Sequence, residues 1–312
     1  MFSVEFVSLF TEICSGGSVW DAGGKNAGQG REVKVSMGIV QAERSAAEFC
    51  FEAVGEKGSR SIEKMSARLQ AMLAEYEPSM MLYGSVTMND FKFGWSDIDF
   101  CLVTERPIPQ ELCQSLVFLR QQMADENDQD PFFRLFEGVI AARETLLSAK
   151  EDMVVYWGTS GQRILSEFSL DPFTKMELIR DGVLVFGRDF RNLLSFPSRA
   201  EVLRAIQRHY EAIRKYGASD AGWLLDTARC LYTLKTNQIA AKTAAGEWAL
   251  EHHLCPNPEV MKKALEIRRN PEKLLKDESV TKWLKTITPQ IQEFADVLEN
   301  ALQKEMRSGS EV

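Results

Sequence analysis

Apolar residues recur at three- and four-residue steps from Ser61, at Ile62, Met65, Leu69, Leu73 and Tyr76, and the run stops at Pro78. That period predicts a helix, and the proline its end. "SMMLYG" follows as a short strand that finishes at Gly84 and Ser85. In "DIDFCLV" the period falls to two: Ile98, Phe100 and Leu102 point one way, Asp97, Asp99 and Cys101 the other. Gln110 to Glu126 reads as a helix with Leu112, Leu116, Leu119 and Met123 on one stripe. After the acidic turn "DENDQDP", "FFRLFEGVIAA" is expected to form a third strand with Glu137 in its middle, and "DMVVYWG" a fourth. "DPFTKMELIRDG" carries a helix start, with Asp171 as N-cap and Pro172 in the first position, and "VLVFG" closes this half at Gly187.

From Ser198 onward strand patterns cease. Helices are expected at about Arg199–Tyr216, Gly222–Lys235, Ala240–His252, Pro258–Arg269 and Pro289–Met306, the last with Ile291, Phe294, Leu298 and Leu302 on one stripe. The predicted class is therefore α+β: a domain with a small mixed sheet over residues 46–194, then an all-α helical bundle over 195–312. Residues 1–45, glycine-rich between Gly16 and Gly30, are expected to be a flexible segment, and Met37 is an alternative start.

Composition narrows the function classes. The 312 residues are 45% hydrophobic and 26% charged, ordinary for globular chains of two domains. A formal net charge of -8 argues against nucleic acid as a partner, since phosphate backbones call for a basic surface. It matches a cationic small molecule better. No window is apolar for long enough to span a membrane, no signal peptide is evident, and the expectation is a cytoplasmic monomer. The six cysteines show neither a CxxC pair nor metal-ligand spacing, and read as reduced core residues. His252 and His253 read as a solvated helix end, and His209 as a surface residue.

The chemistry concentrates between Met81 and Val103. Asp97 and Asp99 share one strand face, about 6.5 to 7 Å apart. Such a pair is an oxygen-ligand set for Mg²⁺, which takes one or two carboxylates together with substrate phosphates. Gly84 lets the backbone approach a phosphate, and Ser85 adds a hydroxyl and an amide N–H. Taken singly, Asp-x-Asp is also the polar face of a half-buried sheet, and Gly-Ser an ordinary turn. The combination describes a site for a nucleoside triphosphate and its metal.

"LYGS" followed by "SDIDFCLV" resembles the signature of the polymerase-β-type nucleotidyltransferase superfamily. Within it, "ARCLYTLKTNQIAAKTAAGEWAL", Ala228 to Leu250, is similar to the C-terminal helical domain of the aminoglycoside (3'')(9) adenylyltransferases, which modify streptomycin and spectinomycin. The resemblance implies a nucleotidyltransferase domain, ATP and Mg²⁺, AMP transfer to a hydroxyl of an aminoglycoside or aminocyclitol, pyrophosphate release, and antibiotic resistance as the setting. It implies metal ligation by Asp97 and Asp99, triphosphate contact at Gly84 and Ser85, and phosphate contact from Arg229 and Lys242. Glu137 would be the third carboxylate and the base, although Gly138 stands where that family has β-branched residues. Tyr216, Asp220, Trp223 and Asp226 fall where the streptomycin-modifying enzymes carry a Trp and acidic residues, and would hold the cationic substrate. Packing of Trp223 and helix capping by the aspartates is the competing reading. Two other functions stay open: adenylylation of a partner protein, and a non-catalytic nucleotide-binding regulator.

Overall fold

The computed structural model describes residues 52–148, 151–159 and 161–308; the N-terminal segment expected to be flexible, with Cys14 and Cys50, lies outside them. The first helix, α1 (Gly55–Met72), buries Ile62, Met65 and Leu69, the apolar stripe the sequence displays. It begins before Ser61 and ends before Tyr76, which sits instead on a short 3₁₀ turn (Ala74–Tyr76) closed by Glu77 in the left-handed region at φ 47°. Pro78 is the physical reason, since it disfavours helical backbone at the residue before it.

Six strands form one mixed sheet: β1 (Ser79–Tyr83), β2 (Ile98–Thr104), β3 (Phe136–Ala142), β4 (Val154–Gly158), β5 (Gly161–Leu165) and β6 (Val183–Phe186), in the order β5-β4-β3-β2-β1-β6. Only β2 and β3 run parallel, joined across α2 (Gln110–Glu126); the other neighbours are antiparallel. The third strand starts later than its sequence suggests. Asp130 accepts the Phe132 N–H at 3.1 Å, Pro131 occupies the first position, and Pro131–Leu135 becomes a 3₁₀ turn. β5, "GQRIL", is half-buried throughout and has too few apolar residues to declare itself.

The two faces of the sheet pack differently. Ile98, Phe100 and Leu102 join Ile62, Leu69, Leu116 and Leu119 in a core beneath α1 and α2, where the Phe100 and Trp157 rings meet edge-on at 5.2 Å. On the other face Met81, Cys101, Val103 and Val139 pack with Leu178 of α4 (Pro172–Asp181); α3 (Arg143–Ser148) follows β3. Asp171 caps α4 as its sequence predicts, accepting the Phe173 N–H at 2.8 Å. Cys101, Cys113, Cys230 and Cys255 are buried free thiols.

Seven helices complete the described chain: α5 (Arg199–Tyr216), α6 (Gly222–Thr236), α7 (Lys242–Glu251), α8 (Pro258–Arg269), α9 (Pro271–Leu274), α10 (Glu278–Leu284) and α11 (Thr288–Ser308). A capping box of Ser198 and Glu201 opens α5. α9 and α10 span four and seven residues, too short for a period to emerge. Leu225, Leu231, Ile291, Phe294 and Leu298 lie in the helical core, and Trp95, Phe173 and Met176 from the sheet half are buried in the same cluster. No helix among the described residues is long and apolar enough to cross a membrane.

Gly138 shows how tightly β2 and β3 pair beside Glu137. It lies opposite Phe100 in the register, and a Cβ there would collide with the Phe100 carbonyl. Gly138→Val is expected to destabilise the protein by about 1–3 kcal/mol, the scale of core overpacking, read as a lower urea midpoint with unchanged slope.

Candidate active site

A cavity of about 320 Å³ opens between the sheet and the helical half. Gly84, Ser85, Asp97, Asp99 and Glu137 line it from the sheet, Arg229, Lys242 and Arg268 from the helices. β1 ends at Tyr83, and the chain turns sharply: Gly84 has φ +70°, and a Cβ at that position would run into the Asp99 carboxylate. Only glycine meets both demands. The turn is closed by Met88 N–H on the Gly84 carbonyl at 3.0 Å and Asp90 N–H on the Ser85 carbonyl at 2.8 Å. Ser85 Oγ donates to the Asp97 carbonyl at 3.4 Å, so the turn is tied to the start of β2.

Register brings the carboxylates together. Asp99 on β2 lies between Tyr83 on β1 and Glu137 on β3, and Asp97 immediately precedes β2. Both Glu137 oxygens are held: Oε1 accepts from the Tyr156 hydroxyl at 3.1 Å, Oε2 from the Thr159 hydroxyl at 2.8 Å. Burial, and then the neighbouring Glu137, push Asp97 up to about 7. Burial and the charges of Asp97 and Glu137 push Asp99 well above the carboxylate range. Burial also raises Glu137, against the opposing effect of its two hydroxyl partners and Arg120. Arg120 reaches this corner from α2, donating to the Phe136 carbonyl at 2.8 Å and the Gly158 carbonyl at 3.0 Å. The Cys101 thiol on the same wall is pushed up to about 12 by burial, which removes it as a nucleophile.

Three carboxylates crowded where each is penalised for being charged form an all-oxygen donor set with an unmet demand for positive charge. Mg²⁺ fits that donor chemistry. Positive charge also comes from the helical half. Arg229 on α6 pairs with Glu177 of α4 at 3.0 Å and approaches Asp226 at 3.6 Å, its guanidinium lying 5.4 Å from the Phe173 ring centre. Lys242, the first residue of α7, faces the same cavity, and burial and then the nearby Arg229 lower its pKa.

Seven of the residues singled out in the sequence thus share one cavity: Gly84, Ser85, Asp97, Asp99, Glu137, Arg229 and Lys242. Tyr216, Asp220, Trp223 and Asp226 do not line it. Trp223 is 4% exposed within the helical core, and Asp220 accepts the Gly222 N–H at 2.7 Å at the start of α6. Tyr216 packs beside the core with Lys215 over its ring. Asp226 is buried against His209 at 2.7 Å, and although burial works against it, His209 and Arg229 hold it well below the carboxylate range. His209 is no surface residue: it is 3% exposed, stacked on Phe173 and part of the cavity wall. A helix rich in charged residues, four of them Arg, concealed it, because the face it shares with Val202 and Ile206 is the buried one.

Glu177, Asp90 and Arg268 also line the cavity, and no local motif in the sequence marks them. Asp90 pairs with Arg268 at 2.6 Å across 178 positions of chain. Glu177 lies on the buried face of α4 with Phe173 and Met176, a carboxylate among apolar residues that was the available signal.

The crowded carboxylates set a pH dependence for the ligand-free protein. Asp97 at about 7 binds its proton more tightly than it does in the unfolded chain, where it has the ordinary value near 4. That contribution is complete below pH 4 and is lost as the pH rises through 7. Asp97→Asn is therefore expected to raise the melting temperature at pH 8 by a few degrees relative to the parent, about 1 kcal/mol at this chain size. The same substitution should abolish any rise in melting temperature produced by Mg²⁺ with ATP, both effects being read by calorimetry.

No curated protein sequence matches the chain. The family "Aminoglycoside adenylyltransferase, C-terminal domain" matches residues 192–301. Among solved structures the chain is similar to the spectinomycin adenyltransferase AAD(9) from Enterococcus faecialis with ATP and spectinomycin, at 19% identity and a TM-score of 0.58, over 77% of this chain and 98% of that one. At that identity the likeness is one of fold: a mixed sheet followed by a helical domain. The chain therefore resembles the aminoglycoside adenylyltransferases, in its overall fold and, over residues 192–301, in matching that family's C-terminal domain.

Proposed function

We propose that the protein is an adenylyltransferase that moves AMP from ATP to a hydroxyl of a cationic small molecule of the aminoglycoside or aminocyclitol type. The observation that carries this reading is the convergence of Asp97, Asp99 and Glu137 on one wall of a cavity whose other wall presents Arg229 and Lys242. The Gly84–Ser85 turn offers backbone N–H groups and a hydroxyl to the triphosphate. Asp97 and Asp99, with Glu137, would hold Mg²⁺, which when bound supplies neutralising charge to the reacting phosphate oxygens.

Glu137 accepts the proton of the attacking hydroxyl. Tyr156 and Thr159 fix both of its oxygens and favour its ionised form, leaving it able to take that proton once cations offset the surrounding carboxylates. The acceptor oxygen bonds to the α-phosphorus, the bond from that phosphorus to the bridging oxygen breaks, and pyrophosphate leaves toward Arg229 and Lys242. Arg229 then exchanges part of its pairing with Glu177 for phosphate. Glu167 and Phe168, which line the cavity away from the Arg229–Glu177 pair's own contacts, would supply a carboxylate and a ring face to a cationic acceptor.

Pyrophosphate release with ATP and Mg²⁺ across streptomycin, spectinomycin and further aminoglycosides tests the reading. Release should depend on one of these acceptors and fall on the order of 10²–10⁴-fold in Glu137→Gln. Full release by Asp97→Asn would overturn the site. Binding of ATP without release on any acceptor, together with label passing from ATP to a polypeptide, would move the acceptor from small molecule to protein.

A further inference from the structure

Helix α7 begins without a cap of its own. The residue before it is Ala241, and an alanine offers no side-chain acceptor to the unsatisfied N–H groups of the first turn. The acceptor arrives instead from 153 positions earlier in the chain. Asp90, in the loop that continues the Gly84–Ser85 turn, accepts the Thr243 N–H at 3.2 Å and the Thr243 hydroxyl at 2.6 Å. Thr243 is the second residue of α7, where an N-cap side chain would deliver its bond.

The arrangement is buried at the edge of the cavity, which Asp90 and Arg268 also line. Arg268 of α8 donates to the Asp90 carboxylate at 2.6 Å, to the Asp90 carbonyl at 3.1 Å and to Thr243 Oγ1 at 3.1 Å. Asp90 is 5% exposed and Arg268 2%. Burial alone would raise the Asp90 pKa, yet Arg268 and Thr243 together hold it below the carboxylate range, so Asp90 stays ionised. An ionised cap at a helix N-terminus also meets the positive end of the helix dipole. Since the Asp90 N–H donates to the Ser85 carbonyl at 2.8 Å, one residue joins the turn at the carboxylates to the helix whose first residue is Lys242.

We propose that Asp90 is a positioning residue: by capping α7 from the sheet half it holds Lys242 in register with the Gly84–Ser85 turn, and so sets the lysine where the triphosphate is received. The inference deepens the nucleotide reading above and rests on it. A purely structural Asp90–Arg268 pair predicts a loss of stability alone. The capping role predicts a loss that passes through Lys242.

The test is a double-mutant cycle on Mg–ATP affinity, with hydrogen exchange of the first-turn amides of α7 read in parallel without ligand. Asp90→Ala should weaken Mg–ATP on the order of tenfold, the scale of a lost cap, and speed exchange at Thr243, Ala244 and Ala245. In a Lys242→Ala background the same substitution should weaken binding no further. Ala241→Ser, which gives α7 a cap of its own, should recover both affinity and protection in Asp90→Ala. Independent, additive losses, or no recovery with Ala241→Ser, would overturn the proposal. If Asp90→Ala fails to fold because Arg268 is left buried without its partner, the cycle between Asp90→Ala and Lys242→Ala is read in an Arg268→Met background, where Asp90→Ala leaves α7 uncapped without stranding that charge. A parent protein that binds no Mg–ATP overturns the nucleotide reading itself, while the exchange pattern still supports or overturns the capping of α7.

Discussion

Mutual repulsion among carboxylates is the constraint around which the cavity is built. Asp97 just before β2, Asp99 on β2 and Glu137 on β3 stand side by side, with Glu177 close enough to act on Asp99, in a place where burial makes every negative charge costly. A sheet stabilised only by its core would not adopt this arrangement, because each added charge raises the free energy of the folded state. The surrounding groups compensate it piece by piece. Tyr156 and Thr159 hydrogen-bond Glu137, Arg120 approaches from behind, Arg229 takes Glu177, and Lys242 faces Asp97 and Asp99 from across the cleft.

What compensates also divides the labour between the two halves. The sheet half supplies most of the negative charge and the glycine turn; the helical half supplies Arg229, Lys242 and Arg268, with Arg120 on α2 the sheet half's own contribution. Each helical cation is already engaged with carboxylates: Arg229 with Glu177 and with Asp226 of its own helix, Arg268 with Asp90, and Lys242 electrostatically with Asp226 and Asp99. On the proposed reading, a ligand carrying both phosphates and metal would satisfy the two walls at once. A phosphate alone would meet the carboxylates, and a metal alone would leave the arginines as they are.

Much of this was legible in the chain. The change from two-residue to three- and four-residue periods located the strands other than β5 and the long helices, because burial on one face enforces those periods. Gly84, Ser85, Asp97 and Asp99 were visible because a strand, a turn and a second strand keep them close in sequence. Glu137 was placed in the right strand although its first residues proved to be a 3₁₀ turn, a change decided by Asp130 and Pro131. Asp90, Arg268 and His209 were not legible, since their partners lie far away in the chain and a charged residue in a polar helix looks solvated until its neighbours are known; Glu177 is marked only by its place on an apolar face. The likeness that suggested Tyr216, Asp220, Trp223 and Asp226 located the helix start, but not which way those side chains would turn.

Trp95, Phe173 and Met176 leave the sheet half to enter the core of the helical half, and this interlock bears on how such proteins exchange parts. A graft cut at the visible change from strands to helices would carry the cavity's cations on one piece and the apolar residues that seat them on the other. The helical half could then be transplanted only with the loop around Trp95 and the first turns of α4, so the unit of inheritance for the cationic wall is discontinuous in sequence.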